Sequence, residues 1–313
     1  MERLRVVEDR LLVLVVLTAV AGLALPTAGA ALAGAVGPLL ALLIFAVSLS
    51  FDADALRAVL RRPGLQLLAT LLVYVPMSLV ALLLARMTFG AGPLWLGLIL
   101  LGTLPTDVSS PLLVWIARGN VALASVFNAV NTAISPVVVP LLFLVYTGVR
   151  LDVPVLGLVA DLAATVLVPT LAGVAVRTRW RQRIARIEPV LSATGALSYL
   201  ALLFAVVGTN AAAMLDAPVT MLLLAGVALV LNLSGYGIAL LAGPPLPDPR
   251  DRVAMLFTVS KKEFSIAALV VFASGLPAEV ALPAVVYAVV QMVTSPAVAH
   301  RLARRTAVAP GPG

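Results

Sequence analysis

The chain reads as an all-α polytopic membrane protein. Its sequence predicts ten transmembrane helices, arranged as two inverted five-helix repeats with broken helices 4 and 9. Three observations predict this. Of 313 residues, 62% are hydrophobic and 11% are charged, against roughly 25% charged in a soluble domain. The apolar residues form continuous runs, without the period-two alternation of a membrane barrel. Motifs of the first half return in the second at a nearly constant spacing. So few charges could not cover a soluble surface, which excludes soluble enzymes. The net charge of +7 lies in short loops and aromatics make up 5%, a pattern that does not point to nucleic acid. Cysteine is absent, which removes disulfides, thiolate metal sites and thiol nucleophiles and leaves the redox compartment unreadable.

A transmembrane helix needs about 20 mostly apolar residues. Ten stretches qualify, near 11–30, 33–50, 64–85, 93–117, 120–148, 153–176, 190–210, 217–242, 252–275 and 279–299. Ala28-Gly29-Ala30 resembles a signal-peptide cleavage site, but the leader mixes Glu2, Glu8 and Asp9 with three arginines. An anchored first helix fits better. With ten spans both termini share one side. Seventeen of the 21 basic residues fall there, in the clusters Arg3–Arg10, Arg57–Arg62, Arg118, Arg177–Arg186, Arg250–Arg252 and Arg301–Arg305. Only Arg86 and Arg150 fall opposite. The positive-inside rule then places the N- and C-termini in the cytoplasm, in a bacterial-type inner membrane. Arg177–Arg186 reads as an amphipathic interfacial turn between the halves, or as a solvated basic loop that only sets topology.

The repeat shows in order and spacing. Ala41–Val47 (ALLIFAV) returns as Ala201–Val206 (ALLFAV). Asp107-Val108-Ser109 returns as Glu263-Phe264-Ser265, 156 residues later, and Ser135-Pro136 returns as Ser295-Pro296, 160 later. The units are 1–150 and 151–313. Five spans per unit is odd, so the second unit enters the membrane from the opposite side. Inverted repeats with interrupted helices are a mark of secondary transporters, whose sites lie near the midplane.

The fourth span holds Gly102–Pro111 (GTLPTDVSSP), with two prolines, four hydroxyls and a carboxylate. Proline removes an amide donor and clashes with the preceding turn. Polar, non-helical backbone survives at membrane depth only where protein or a wet cavity covers it. The ninth span, the repeat mate, reads Thr258–Ser265 (TVSKKEFS) and has no proline. Its break is inferred from charge and position. Lys261 and Lys262 are the only lysines; the other 19 basic residues are arginine. Arg252 lies nine residues earlier. That is a rise of about 13–14 Å, close to half of a ~30 Å hydrocarbon core. Snorkelling to water is the competing account, but that depth favours burial, and intramembrane charges mark functional sites.

Polar stripes flank both breaks. Asn128, Asn131, Thr132 and Ser135 share one face of the fifth span, and Tyr287, Gln291, Thr294 and Ser295 one face of the tenth. Gln66, Thr70 and Tyr74 recur at four-residue steps in the third. Helix-to-helix hydrogen bonding is the alternative use of such residues. Half-helices meeting end to end aim N–H groups at the centre, carbonyls can hold a cation, and a lysine adds positive charge. The cargo that fits is a small organic anion. Thr106, Asp107, Ser109, Asn131, Lys261, Lys262 and Gln291 are the expected solute-facing residues, and Ser110, Asn128, Thr132, Glu263 and Ser265 the expected cation ligands. No cofactor is expected beyond a coupling Na+. The partners are the solute and the bilayer.

At these residues the chain resembles the bile acid:sodium symporter family. Leu104–Gly148 looks like that family's fourth and fifth helices, above all in Arg-Gly-Asn-Val-Ala-Leu (118–123) and Thr-x-x-Ser-Pro (132–136). Ser265–Leu269, Ser295-Pro296 and the ten-span length extend the likeness. The resemblance implies a core of helices 3–5 and 8–10, a panel of helices 1, 2, 6 and 7, and alternating access between them. It also implies sodium sites, from which this chain departs. Ser110-Pro111 stands where the family has Ser-Asn, and Asn128 where a threonine ligand is typical. The family's helix 9 Glu falls near Val259 and its Gln near Glu263, and the two lysines enter the same segment. At least one sodium site is therefore expected to be lost, with a lysine supplying the positive charge or carrying a proton. Arsenite exporters share the fold but resemble the chain less in helix 4, and they favour a thiolate that is absent here. An intramembrane enzyme lacks support: there is no HExxH, no GxSxG, and Asp161 sits near the outer end of its span. A channel is the second rival, and the duplicated interrupted helices fit a carrier better.

Overall fold

The computed structural model describes residues 2–49, 63–148, 155–243, 246 and 248–308. Arg57, Arg61, Arg62 and Arg150, counted above in the loops, lie outside the described residues, as does the boundary between the repeat units. The described residues are helical and contain no strand. The helices are α1 (Glu2–Ala24), α2 (Pro26–Ala31), α3 (Val36–Ser48), α4 (Pro63–Tyr74), α5 (Pro76–Thr88), α6 (Pro93–Thr103), α7 (Ser110–Ile116) and α8 (Val121–Thr147). They continue as α9 (Val155–Leu162), α10 (Val168–Arg179), α11 (Arg181–Arg186), α12 (Glu188–Thr209), α13 (Ala211–Asp216), α14 (Pro218–Leu241), α15 (Pro249–Ser260), α16 (Phe264–Ala273) and α17 (Leu282–Val308).

Among the described residues, six stretches are long and apolar enough to cross a membrane: Pro26–Ser48, Pro63–Thr88, Val121–Thr147, Leu156–Arg179, Pro218–Leu241 and Ala278–Arg304. The spans placed at 93–117 and 252–275 are each two short helices, α6 with α7 and α15 with α16. The first two spans shift. The sequence puts a boundary at 30–33, but the first helix ends at Ala24 and the next begins at Pro26. Leu25 leaves the helical region (φ −125, ψ 58), because the residue before a proline is pushed from it and the proline has no N–H to continue the ladder. The Arg177–Arg186 segment is the end of α10, a corner at Trp180, and the six-residue α11.

The surface is that of an integral membrane protein. Leu241, Leu156 and Val219 are 83%, 82% and 78% exposed, while Asn128, Asn131, Asn232, Gln291 and Ser295 are fully buried. Apolar outside and polar inside suits lipid, where every buried polar group must find a partner within the protein.

Helices α1, α2, α3, α10 and α12 pack on one another, and α4–α8 and α14–α17 form a second group. They meet where α3 and α12 touch α16 and where α1 and α12 touch α17. Inside the second group the two broken spans run antiparallel. Asn120, just after α7, donates its N–H to the Arg250 carbonyl at the start of α15 (3.0 Å). At the other end Gly97 lies against Val280 and Pro283. The turn from α7 to α8 explains its own sequence. Gly119 approaches α15 so closely that a Cβ would sit 2.6 Å from Val253. Asn120 then caps α8 by accepting from the Leu123 N–H (3.1 Å) and donates to Asp251 (2.7 Å).

Candidate functional site

The two breaks cross and bond to each other through their backbones. The Glu263 N–H donates to the Pro105 carbonyl at 3.0 Å. Around this contact lie Asp107, Lys261, Lys262 and Glu263, none more than 1% exposed. Four ionisable groups at such depth require charge pairing and dense hydrogen bonding.

The carboxylates do the same job twice. Asp107 accepts from the N–H of Ser109 (2.8 Å) and from its hydroxyl. Glu263 accepts from the N–H of Ser265 (3.3 Å) and from its hydroxyl. Each acid thus satisfies an orphan donor at the start of the second half-helix, where the helix dipole favours negative charge. Glu263 also reaches across the crossing, accepting from the Val108 N–H at 3.1 Å.

The lysines differ. Lys261 forms an ion pair with Asp107 at 3.0 Å and donates to the Ser109 hydroxyl. Lys262 points away from both acids. Its ammonium donates to the carbonyls of Val73 (2.7 Å), Gly102 (3.0 Å) and Leu104 (2.8 Å). An ammonium has three N–H donors, so none remains for a solute in this conformation. Gln291 ties the two sides together. It accepts from the Lys262 N–H (3.0 Å) and donates to the Lys262 carbonyl (3.1 Å) and to Asp107 (3.1 Å).

The other expected residues are placed as follows. Thr106 donates to the Thr258 carbonyl (2.8 Å) and Ser110 to the Phe257 carbonyl (3.0 Å), which covers open acceptors at the end of α15. Asn128 donates to the Asp107 carbonyl (2.8 Å) and accepts from Thr132 (3.0 Å). Asn131 bonds Thr106 at 3.4 Å and accepts from Thr70 at 2.8 Å. Gln66 donates to Thr70 (3.0 Å) and Tyr74 to the Asn131 carbonyl (2.7 Å). The third-span stripe is therefore helix-to-helix bonding that anchors Asn131. Asp161 is exposed on its helix. Oxygen donors dominate the set, the chemistry that suits a hard monovalent cation more than a soft metal.

Sequence reasoning missed two residues. Asn232 donates to the Ser260 carbonyl (2.8 Å) and accepts from Thr294 (2.7 Å). It is an isolated amide in the apolar run of α14, a signal that could have found it. Tyr199, on α12, stacks edge-on against Phe264 with ring centroids 4.9 Å apart. Its buried hydroxyl has no hydrogen-bond partner among the described residues. A separate cavity of ≈ 540 Å³ lies at the α7–α15 corner, between Arg118, Arg250, Arg252 and the apolar Val253, Leu256 and Leu302. No residue of the crossing lines it.

Lipid-facing walls around a crossing of broken helices with buried, paired charges define a membrane transporter. The chain belongs to the SBF-like CPA transporter family, whose profile matches residues 9–304. Two of three similar proteins carry transporter names. An uncharacterized sodium-dependent transporter of Bacillus subtilis, YocS, is 26% identical over 276 residues, 88% of this chain and 85% of the relative. An uncharacterized B. subtilis protein, YbaS, is 29% identical over 273 residues, 84% of this chain and 87% of the relative. A probable sodium/metabolite cotransporter of Arabidopsis thaliana chloroplasts, BASS1, is 28% identical over 176 residues, 56% of this chain and 44% of the relative.

Proposed function

We propose that this transporter is a secondary active carrier that moves a small organic anion by alternating access, coupled to a sodium ion or a proton. The observation that carries the reading is the buried Asp107–Lys261 pair, held at 3.0 Å where four half-helix ends meet. Among the described residues Lys261 has one acid partner. A carboxylate solute that takes the ammonium leaves Asp107 uncompensated at membrane depth, which is strongly unfavourable. A cation arriving with the solute restores the balance. Solute and cation then stabilise each other's binding, and that mutual dependence is coupling.

The antiparallel crossing, the doubled carboxylate–serine cap and the two packing groups support ten spans in inverted units 1–150 and 151–313. In this reading α4–α8 and α14–α17 move against α1–α3 and α9–α12. Ser110, Asn128, Thr132, Glu263 and Ser265 supply cation ligands, while Thr106, Asp107, Ser109, Asn131, Lys261, Lys262 and Gln291 form the solute side. Both termini face the cytoplasm of a bacterial-type inner membrane. Counterflow of labelled carboxylates in proteoliposomes, with sodium and proton gradients imposed separately, tests this. Uptake should follow one of the two gradients and vanish in Lys261→Met. Uptake indifferent to both gradients and unchanged in Lys261→Met would sink it.

A further inference from the structure

The second lysine raises a separate question. Lys262 is fully buried, and its ammonium makes no contact with a carboxylate among the described residues; all three bonds go to backbone carbonyls. Each carbonyl sits where helical bonding stops. Gly102 and Leu104 are at the C-terminal end of α6, and Val73 is at the kink before Pro76 that separates α4 from α5. Open carbonyls at a half-helix C-terminus carry the negative end of the dipole, and such ends hold free monovalent cations in carriers.

The repeat supplies an internal control. Gly102 and Leu104 lie 156 residues before Thr258 and Ser260, the same offset that relates Asp107 to Glu263. The Thr258 and Ser260 carbonyls are also satisfied, but by neutral donors: the Thr106 hydroxyl (2.8 Å), the Asn232 amide (2.8 Å) and the Tyr287 hydroxyl (2.6 Å). Thr106 is itself the repeat mate of Lys262. The same two carbonyls are thus closed by uncharged groups at one end and by a cation at the other. Hydrogen bonding alone does not require the charge. With all four groups ionised, Lys261 and Lys262 balance Asp107 and Glu263. Without Lys262 the crossing holds an excess negative charge beside three inward carbonyls.

We propose that the Lys262 ammonium is a tethered cation seated in a carbonyl site that a free sodium ion would otherwise fill, so that this site is occupied by the chain's own side chain instead of a coupled ion. The proposal rests on the carrier reading for its meaning, since it says which ion position is not exchanged, but its test needs no solute. Radioactive sodium binding and thermal unfolding, in sodium against choline chloride, are compared for purified wild type, Lys262→Ala and Lys262→Met. The alanine variant removes the charge and leaves room for an ion; the methionine variant removes the charge and fills the room. Lys262→Ala should bind one more sodium per chain than wild type, and sodium should raise its unfolding midpoint by more than it raises that of wild type or Lys262→Met. No extra sodium in a monodisperse Lys262→Ala sample overturns the proposal. So does a second, independent sodium on wild type within the crossing, lost in Lys262→Arg, a result obtainable even if the alanine variant does not fold. Failure of counterflow with the extra sodium present would remove the carrier reading and leave the carbonyl site standing.

Discussion

The break in the fourth span and the break in the ninth begin their second half-helices alike, with a carboxylate that caps the serine two residues on. They differ in what closes the carbonyls behind them. The Thr258 and Ser260 carbonyls at the end of α15 are closed by three neutral side chains, and the Gly102 and Leu104 carbonyls at the end of α6 by one ammonium. They differ in sequence too. Leu104–Ser109 is opened by a proline, while Lys261–Glu263 has none and is held extended by its bonds to Pro105 and Gln291. The lesson is that a broken helix needs two things, a cap for its donors and a cover for its acceptors. The cap is the same in both breaks, whereas the cover is where they differ in charge.

The largest effect should come from splitting the ion pair. Asp107→Asn leaves the buried Lys261 charge without its acid, and removing one partner of a buried pair costs about 3–5 kcal/mol. Lys261→Met should be comparably destabilising, and the double variant less so than the sum. Equal, additive losses in a double-mutant cycle of chemical unfolding would show that the pair is not coupled. Glu263→Ala strips three bonds from the other break. A lost cap costs about 0.5–2 kcal/mol, so this variant should unfold before wild type but after Asp107→Asn. The opposite order would make the ninth-span break the weaker of the two.

Thr106→Val removes one neutral donor from the α15 end and should cost about 1 kcal/mol. Transport should weaken but persist, because one hydroxyl of the solute side is lost and no charge has changed. Wild-type transport in Thr106→Val would remove the threonine from the solute side and leave it a cover for the α15 end alone. The smallest shift should be Tyr199→Phe. Its hydroxyl has no partner among the described residues, and an unsatisfied buried group is itself unfavourable, so stability should hold or rise by up to about 1 kcal/mol. Slower transport in that stable variant would identify Tyr199 as the solute contact that α12 offers to the crossing.

Much of this was legible in the residues, for physical reasons. Prolines, an aspartate and four hydroxyls inside an apolar run cannot make a continuous helix in lipid, so the fourth break could be read directly. Two lysines in an arginine-rich chain marked the ninth. What could not be read was the division of labour between them. Adjacent residues in an extended segment project to opposite sides, so Lys261 reaches Asp107 and Ser109 while Lys262 reaches α4 and α6. The polar stripe of Gln66, Thr70 and Tyr74 looked equally suited to solute or scaffold until its bonds to Asn131 placed it in the scaffold. Tyr199 carried no local signal, because a lone tyrosine in an apolar helix says nothing about which crossing it will face.

Composition and order alone therefore determined a helical membrane chain, its interrupted segments and the charged residues within them. These follow from local physics: hydropathy, the missing proline N–H and the cost of charge in lipid. Tertiary structure decided the partners. A backbone carbonyl becomes an acceptor only where its helix stops, and which donor reaches it depends on the helix that crosses there. That is why the oxygens around Lys262, contributed by Val73, Gly102 and Leu104, belong to residues with no chemistry of their own to announce them.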